Sequence, residues 1–357
     1  MGAIGIGVAP IFGGVPPGIL GGGGSGPAAP QVPTLTAPTN GSNVYHSTAV
    51  TVSASTTDTD LDKMEWILDG STVVATVLGA GTPAGTFSTS WTETTIADGS
   101  HTLAAKATRA GQSTSSPTIN ITVITDFAKV ATANGGTVVA SVQSDLGITI
   151  GTGVSAWADQ SGNGNNYSQA TGSKQPARNA AALNGFATVQ TDGIDDQLDA
   201  ASINMAAPGS TPFCYYIVAR TLTWTSGKGF CGNTSGTAAG VLSMQVATPA
   251  LSMYCGSNVN NNSGAAVNTW CRFVVQFTNS TGDFLRAGAS TVTGANAGNS
   301  DPSAGFTIGA YFSGSAQFGK IEIASHMILT GTYAMGAGAI AALDSAVALK
   351  YGGLVTL

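Results

Sequence analysis

Residues 157–198, WADQSGNGNNYSQATGSKQPARNAAALNGFATVQTDGIDDQL, constrain the fold more than any other stretch. Gly-Asn and Asn-Gly steps recur between short apolar runs. These residues tolerate the positive φ that tight turns between antiparallel strands demand. The segment therefore reads as short β-strands joined by tight turns, with Trp157 and Leu198 pointing inward as anchors. Strict alternation at Val50/Val52/Ala54 and Ile119/Ile121/Val123 extends the β reading to the first third of the chain, since period two is what a half-buried strand needs.

Composition decides which β class. Only 8% of residues are charged, against roughly 25% in ordinary globular proteins. Low charge with 49 glycines and abundant Thr and Val points to sandwiches with many turns. It argues against disorder, which needs high charge and little hydrophobicity. A net charge of −6 leaves no basic face for nucleic acid. No apolar run reaches the ~18–20 residues of a membrane span. The first twenty residues, MGAIGIGVAPIFGGVPPGIL, are apolar but hold no Lys or Arg, and Gly and Pro interrupt them, so no secretory signal is expected. Myristoylation is not expected either, because Ile6 stands where that motif wants Ser or Thr.

The chain divides into three parts. Residues 1–31 form a charge-free Gly/Pro-rich segment, expected to be an extended anchor and linker. Ile4, Ile6, Val8, Ile11 and Phe12 are spaced apolar residues that a solvated tail has no reason to keep, and they suit docking onto a neighbouring subunit. The glycines at 21–24 would be a hinge. Residues 32–125 are expected to form an immunoglobulin-like sandwich, with strands near 48–55, 63–68, 72–77, 86–91, 101–109 and 118–124. No cysteine pair bridges its sheets, so Trp66 and Trp91 must fill its core. A short connector, 124–134, is expected to hold a helical turn. Residues 126–357 are expected to form a larger double-sheet sandwich, with strands near 138–142, 187–191, 214–220, 241–246, 252–255, 270–277, 284–287, 306–310 and 320–329. A terminal helix follows at 337–350, with Ile340, Leu343, Val347 and Leu349 on one face and Lys350 before Gly352-Gly353 as its stop.

Several words carry a family resemblance. Trp66-Ile67-Leu68-Asp69-Gly70, Ser90-Trp91 and Asp98-Gly99-Ser100-His101-Thr102-Leu103 resemble the bacterial and phage Ig-like repeat. Trp157-x-Asp159-Gln160-Ser161-Gly162-Asn163-Gly164-Asn165, Gln175-Pro176, Asn184-Gly185 and Asp192-Gly193-x-Asp195-Asp196-x-Leu198 resemble the start of a laminin-G/concanavalin-A-like jelly roll. The strand around Lys320-Ile321-Glu322-Ile323-Ala324 and the terminal helix agree with it. Together these imply an all-β protein of the kind displayed on phage and bacterial surfaces. The jelly-roll fold hosts binding, enzymatic and purely structural proteins, so it leaves the activity open.

Chemistry is sparse. The three glutamates, Glu65, Glu93 and Glu322, make no carboxylate pair of the kind a glycosidase needs, and the jelly-roll glucanase pattern Glu-x-Asp-x-x-Glu is absent. The three histidines, His46, His101 and His326, belong to no triad, and there is no Gly-x-Ser-x-Gly elbow or phosphate loop. His101 reads as a structural hydrogen-bonder and His326 as core. Cys214, Cys231, Cys255 and Cys271 form no zinc spacing. They read as buried thiols, with one or two disulfides the alternative. Calcium is the candidate cation: Asp159, Asn163, Asn165, Asp192, Asp195 and Asp196 supply the oxygen it wants, though Asp and Asn also serve plain turns. Sugar contact falls to the polar loop 257–263, with Asn258, Asn260 and Asn261, and to the aromatics Trp224, Tyr254 and Tyr311.

The expected function is that of a non-enzymatic phage virion protein, a capsid decoration, head fibre or tail-attached component. It is made in the host cytoplasm, anchored by its N-terminus to other virion proteins, oligomeric (a trimer is one option), and displays a lectin-like domain to cell-surface glycans. A receptor-binding fibre with specific polysaccharide recognition is the alternative. A jelly-roll depolymerase and a bacterial adhesin rank below it.

Overall fold

The computed structural model describes residues 27–46, 48–79, 84–234, 238–245, 249–261, 266–311 and 317–357. The anchor residues Ile4, Ile6, Val8, Ile11 and Phe12 lie outside them. Among the described residues the protein is nearly all β, with two short α-helices and one 3-10 turn.

In the N-terminal sandwich, among the described residues, one sheet holds Thr34–Ala37, Ala49–Thr56 and Gly85–Thr92. The other runs Ser42–Tyr45, Ile119–Ile124, Gly99–Arg109, Lys63–Leu68, Thr72–Leu78, with Gln112–Ser115 paired to the far half of Gly99–Arg109. Trp66 and Trp91 are buried between the sheets with Val52, Ala54, Phe87, Leu103 and Ile121. Two indoles thus occupy the space a disulfide fills in other sandwiches. Asp69 and Gly70 both take positive φ at the hairpin, as the Asp-Gly pair predicts. His101 bonds Asp69 through Nδ1 at 2.8 Å and Ala97 O through Nε2 at 2.9 Å, which is the structural role expected of it.

The larger unit has three layers. A sheet ordered Ala177–Leu183, Phe186–Gln190, Ile321–Thr330, Phe213–Thr221, Cys271–Phe277, Asp283–Ala287, Ser290–Ala295 also pairs Thr137–Gln143 with Ile321–Thr330. It packs against a second sheet ordered Ile148–Ile150, Val154–Trp157, Tyr167–Ser168, Leu198–Ala200, Phe306–Ile308, Gly229–Asn233, Val241–Met244, Leu251–Tyr254, Asn258–Asn261. Between them lies the main core, holding Trp157 and Leu198 at 0% exposure. The outer face of the first sheet is covered by helices α1 (Phe127–Ala133) and α2 (Gly338–Tyr351). Phe213–Thr221 is therefore buried on both faces: Phe213, Tyr215 and Ile217 meet the second sheet, while Cys214, Tyr216 and Val218 meet the helices. That explains its continuous apolar run. Asp126 caps α1, its carboxylate accepting from Ala128 N and Lys129 N, and Gly352 ends α2 at φ +61°.

Lys350 stands in the last turn of α2 before Gly352, the stop read from the sequence. Its side chain is fully buried where the two sandwiches meet, with Nζ 3.1 Å from Asp98 Oδ2, 2.8 Å from Asp145 Oδ2, 3.4 Å from Thr125 O and 4.5 Å from the centre of the Phe186 ring. Within the polar loop expected at 257–263, the described residues form the edge strand Asn258–Asn261. Short strands such as Leu198–Ala200 and Gly229–Asn233, too brief to show a period, were not expected. All four cysteines are buried free thiols.

His326 sits among Tyr167, Tyr215 and Phe306 with both ring nitrogens unpartnered. Burial pushes its pKa from 6.5 down to about 3. The fold thus holds it neutral, while the unfolded chain takes up a proton below pH 6.5. Its contribution is intact above that pH and is lost as pH falls toward 3. His326→Phe should remove up to about 1.4 kcal/mol of acid destabilisation per pH unit in this window, read from urea midpoints at pH 5 and pH 7. An unchanged slope means that His326 is not held neutral. Lys350→Met leaves Asp98 and Asp145 without their cation and should cost about 3 kcal/mol in urea unfolding at neutral pH.

Candidate functional site

Strands Gly229–Asn233, Val241–Met244, Leu251–Tyr254 and Asn258–Asn261 form one end of the second sheet. Leu242, Met244, Leu251, Met253 and Val259 turn into the core. Period two sends their neighbours Val241, Ser243, Tyr254 and Asn258 to the other face. There, with Gln245, Gly227, Ala238 and Tyr311, they line a cavity of about 280 Å³.

The second tyrosine wall has a local cause. A Cβ at Gly229 would stand 2.7 Å from Tyr311 Cδ1, and one at Gly232 would stand 2.8 Å from Tyr311 Cβ. Glycine at both positions lets the Tyr311 side chain lie against the strand. Its hydroxyl donates to Gly227 O at 3.2 Å, and burial raises its pKa. Trp224 stands beside the cavity, half-buried against the core, its Nε1 donating to Gln245 O at 2.9 Å. Asn258 is exposed, and its Oδ1 accepts from Ser252 Oγ at 3.0 Å.

Of the residues named from sequence for sugar contact, Tyr254, Tyr311 and Asn258 converge on this cavity. Trp224 supports it through Gln245, and Asn260 is exposed on the same edge strand without lining it. Asn261 does not face solvent. It is buried, donating to Leu285 O and Ser290 O and accepting from Ser290 Oγ, so it fastens the edge strand to the facing sheet. Ser243 and Gln245 were missed, yet both alternate with Leu242 and Met244 in VLSMQ. Their outward direction was legible once that strand was placed.

The calcium candidates separate into two groups. Asp159 is saturated by its own turn: Oδ1 accepts from Ser141 N and Ser161 N, and Oδ2 from Ser161 Oγ and Asn165 N. Asn163 and Asn165 donate to the backbone of Val138 and Val139. Asp192, Asp195 and Asp196 instead bring one carboxylate oxygen each within 4.8 Å of one another. Burial, then Asp192 and Asp195, push Asp196 up to about 6.

Glu322 is fully buried. Burial raises its pKa, but donation from Asn179, Thr188 and Arg220 outweighs that and holds the carboxyl below its ordinary range. Arg220 grips one oxygen at 2.8 and 2.6 Å, while Asn179 and Thr188 bond the other. No acid stands among these partners.

Residues 30–105 match the bacterial Ig domain family. No curated protein matches the chain in sequence. Among solved structures, the fibronectin(III)-like modules of Clostridium thermocellum CbhA share 22% identity over 26% of this chain and 94% of theirs, at a TM-score of 0.21. A sialidase from Trypanosoma rangeli in complex with sialic acid shares 9% over 91% of this chain at 0.44. A GH54 α-L-arabinofuranosidase shares 13% over 63% at 0.47. The chain spans 54% of the sialidase and 65% of the arabinofuranosidase. No helix among the described residues is long and apolar enough to cross a membrane.

Gly232→Ala should drive Tyr311 off the strand. The expected result is a loss of about 1–3 kcal/mol in stability and a displaced Tyr311 ring resonance in NMR spectra. An unmoved resonance would show that the strand yields instead of the ring.

Proposed function

We propose that this protein is a non-enzymatic display component of a bacteriophage particle. The large sandwich, a concanavalin-A-like jelly roll, holds glycans in the Tyr254/Tyr311 cavity, and the Ig domain is the spacer beneath it. The observation that carries the glycan role is that cavity. It combines two tyrosine rings with the amides of Gln245 and Asn258 and the hydroxyl of Ser243, a mixture of apolar faces and oriented hydrogen-bonding groups that suits a sugar.

The course of the chain supports the spacer role. Arg109 donates through Nε and Nη2 to Ala28 O and through Nη2 to Ala29 O, while its Nη1 meets Asp58 and Asp60. Thr114 Oγ1 donates to Pro30 O. These contacts hold the first described residues at one end of the strand Gly99–Arg109. Its other end lies beside Asp98, which Lys350 binds. Eleven strand residues at ~3.3 Å each span about 35 Å. Residues 28–30, among the first described, are thus held at the end of this strand opposite Asp98, as an anchor below a spacer requires.

On this proposal the partners are other virion proteins, through residues 1–31, and further copies of the chain, and the site of action is the particle surface. Calcium, where it binds, belongs to Asp192, Asp195 and Asp196 and not to the cavity. Glu322, spent on Arg220, Asn179 and Thr188, is a structural acid, which supports a binding role over hydrolysis.

Two experiments test the proposal. The full chain on a glycan array should bind, and Tyr254→Ala should weaken binding by about tenfold. An array without hits would end the lectin role. Cryo-EM of assembled particles should place this chain on their surface, with its N-terminal segment against neighbouring subunits. Its absence from particles would end the virion role. Release of reducing ends from a bound polysaccharide would make it an enzyme.

A further inference from the structure

The cavity has a property that narrows its ligand. None of its described lining residues carries a charge. Between Lys228 and Arg272 no acidic or basic side chain occurs over 43 consecutive residues, and between Asp301 and Lys320 none occurs over 18. With 12 basic and 18 acidic residues in 357, a stretch of 43 would ordinarily hold three or four. The longer gap contains the strands Gly229–Asn233, Val241–Met244, Leu251–Tyr254 and Asn258–Asn261, and the shorter one contains Tyr311. The face is nonetheless polar, through Ser243, Gln245 and Asn258. Its polarity consists of amides and hydroxyls, groups that both donate and accept.

We infer that this cavity takes the neutral, uncharged end of a glycan, one or two sugar units, without help from a metal ion. The inference rests on the glycan role proposed above and specifies its ligand class. A uronate, sialate or sulfate would lose hydration on entering and find no cation among the described lining residues to replace it. A neutral sugar loses only hydroxyl hydration. Gln245 and Asn258 can each accept from one hydroxyl and donate to the next, and the tyrosine rings cover the sugar's C–H face. About 280 Å³ is at the low end for ligand pockets, which favours a chain end over a long run of units. Lys228 follows Gly227 in the chain but does not line the cavity. Asp192, Asp195 and Asp196 do not line it either, and no carboxylate stands among its described residues to hold calcium against a sugar hydroxyl.

The test uses matched probes that differ by one anionic group: lactose against sialyllactose, and cellobiose against its glucuronate-ended counterpart. Each is titrated into the full chain by saturation-transfer NMR, with and without EDTA and at low and high salt. The neutral member should bind, its acidic partner should bind at least about tenfold more weakly, and neither EDTA nor salt should alter the neutral binding. Gln245→Ala should abolish the preference by weakening the neutral member. Asn258→Lys, at the exposed rim, should restore binding of the acidic member in a salt-sensitive way. An acidic member that binds as tightly as its neutral partner, or neutral binding lost in EDTA, overturns the inference and leaves the glycan role standing. Neutral binding indifferent to both Tyr254→Ala and Gln245→Ala places the sugar elsewhere and overturns the inference too. If no probe of either class binds here or on the array, the glycan role itself falls.

Discussion

One buried ammonium joins the two halves of this protein. Lys350, in the last turn of α2, reaches Asp98 of the Ig domain, Asp145 of the large sandwich and the carbonyl of Thr125 in the connector between them. Taking three charges out of water is costly, and it is offset only when each is paired at close range. Here the partners come from three separate stretches of chain, so the cost is met only with both sandwiches in place. Burial opposes the ionised form of Asp98, but His46, Lys350 and Thr125 together outweigh it and hold its carboxyl far below the ordinary range. In a chain that uses so few charges, the place where two acids and a lysine are buried together is the joint.

Everything above the joint depends on a sheet buried on both faces. Ile321–Thr330 is paired to Thr137–Gln143 and Phe186–Gln190 along one edge and to Phe213–Thr221 along the other. The second sheet covers one face and the helices the other. Its charged residue, Glu322, is tolerated because Arg220, Asn179 and Thr188 satisfy it. Arg272, buried beneath α2, leans on Asp344, which also accepts from Tyr216. The guanidinium of Arg272 has that carboxylate as its ion-pair partner, while its three nitrogens make no hydrogen bond among the described residues. The second sheet has only one face to bury, which leaves the other free to be polar, neutral and hollowed between Tyr254 and Tyr311.

The sequence by itself determined the all-β class, the Ig-like domain with Trp66 and Trp91 at its centre, the helical turn of the connector and the terminal helix. These are local matters: alternation at period two, turn pairs such as Asp69-Gly70 and Asn184-Gly185, and the spacing of Ile340, Leu343 and Val347 report directly on φ, ψ and on which side of an element is buried. Tyr254 and Asn258 face outward for the same reason, alternating with Met253 and Val259, which turn into the core. Only the tertiary structure decided the rest. Lys350 and Asn261 look solvated in sequence, because a polar side chain in a last turn or an Asn-rich run usually is. Whether one is buried depends on partners that arrive from distant positions: Asp98 and Asp145 for the lysine, Leu285 and Ser290 for the amide. The cavity is decided likewise. Tyr254 and Tyr311 are far apart in the chain, and they meet because glycines at 229 and 232 leave room for one ring on a strand that lies two strands from the one carrying the other. Pattern along a chain records which way a residue points. What it points at is set by pairing between strands, and that is a property of the folded whole.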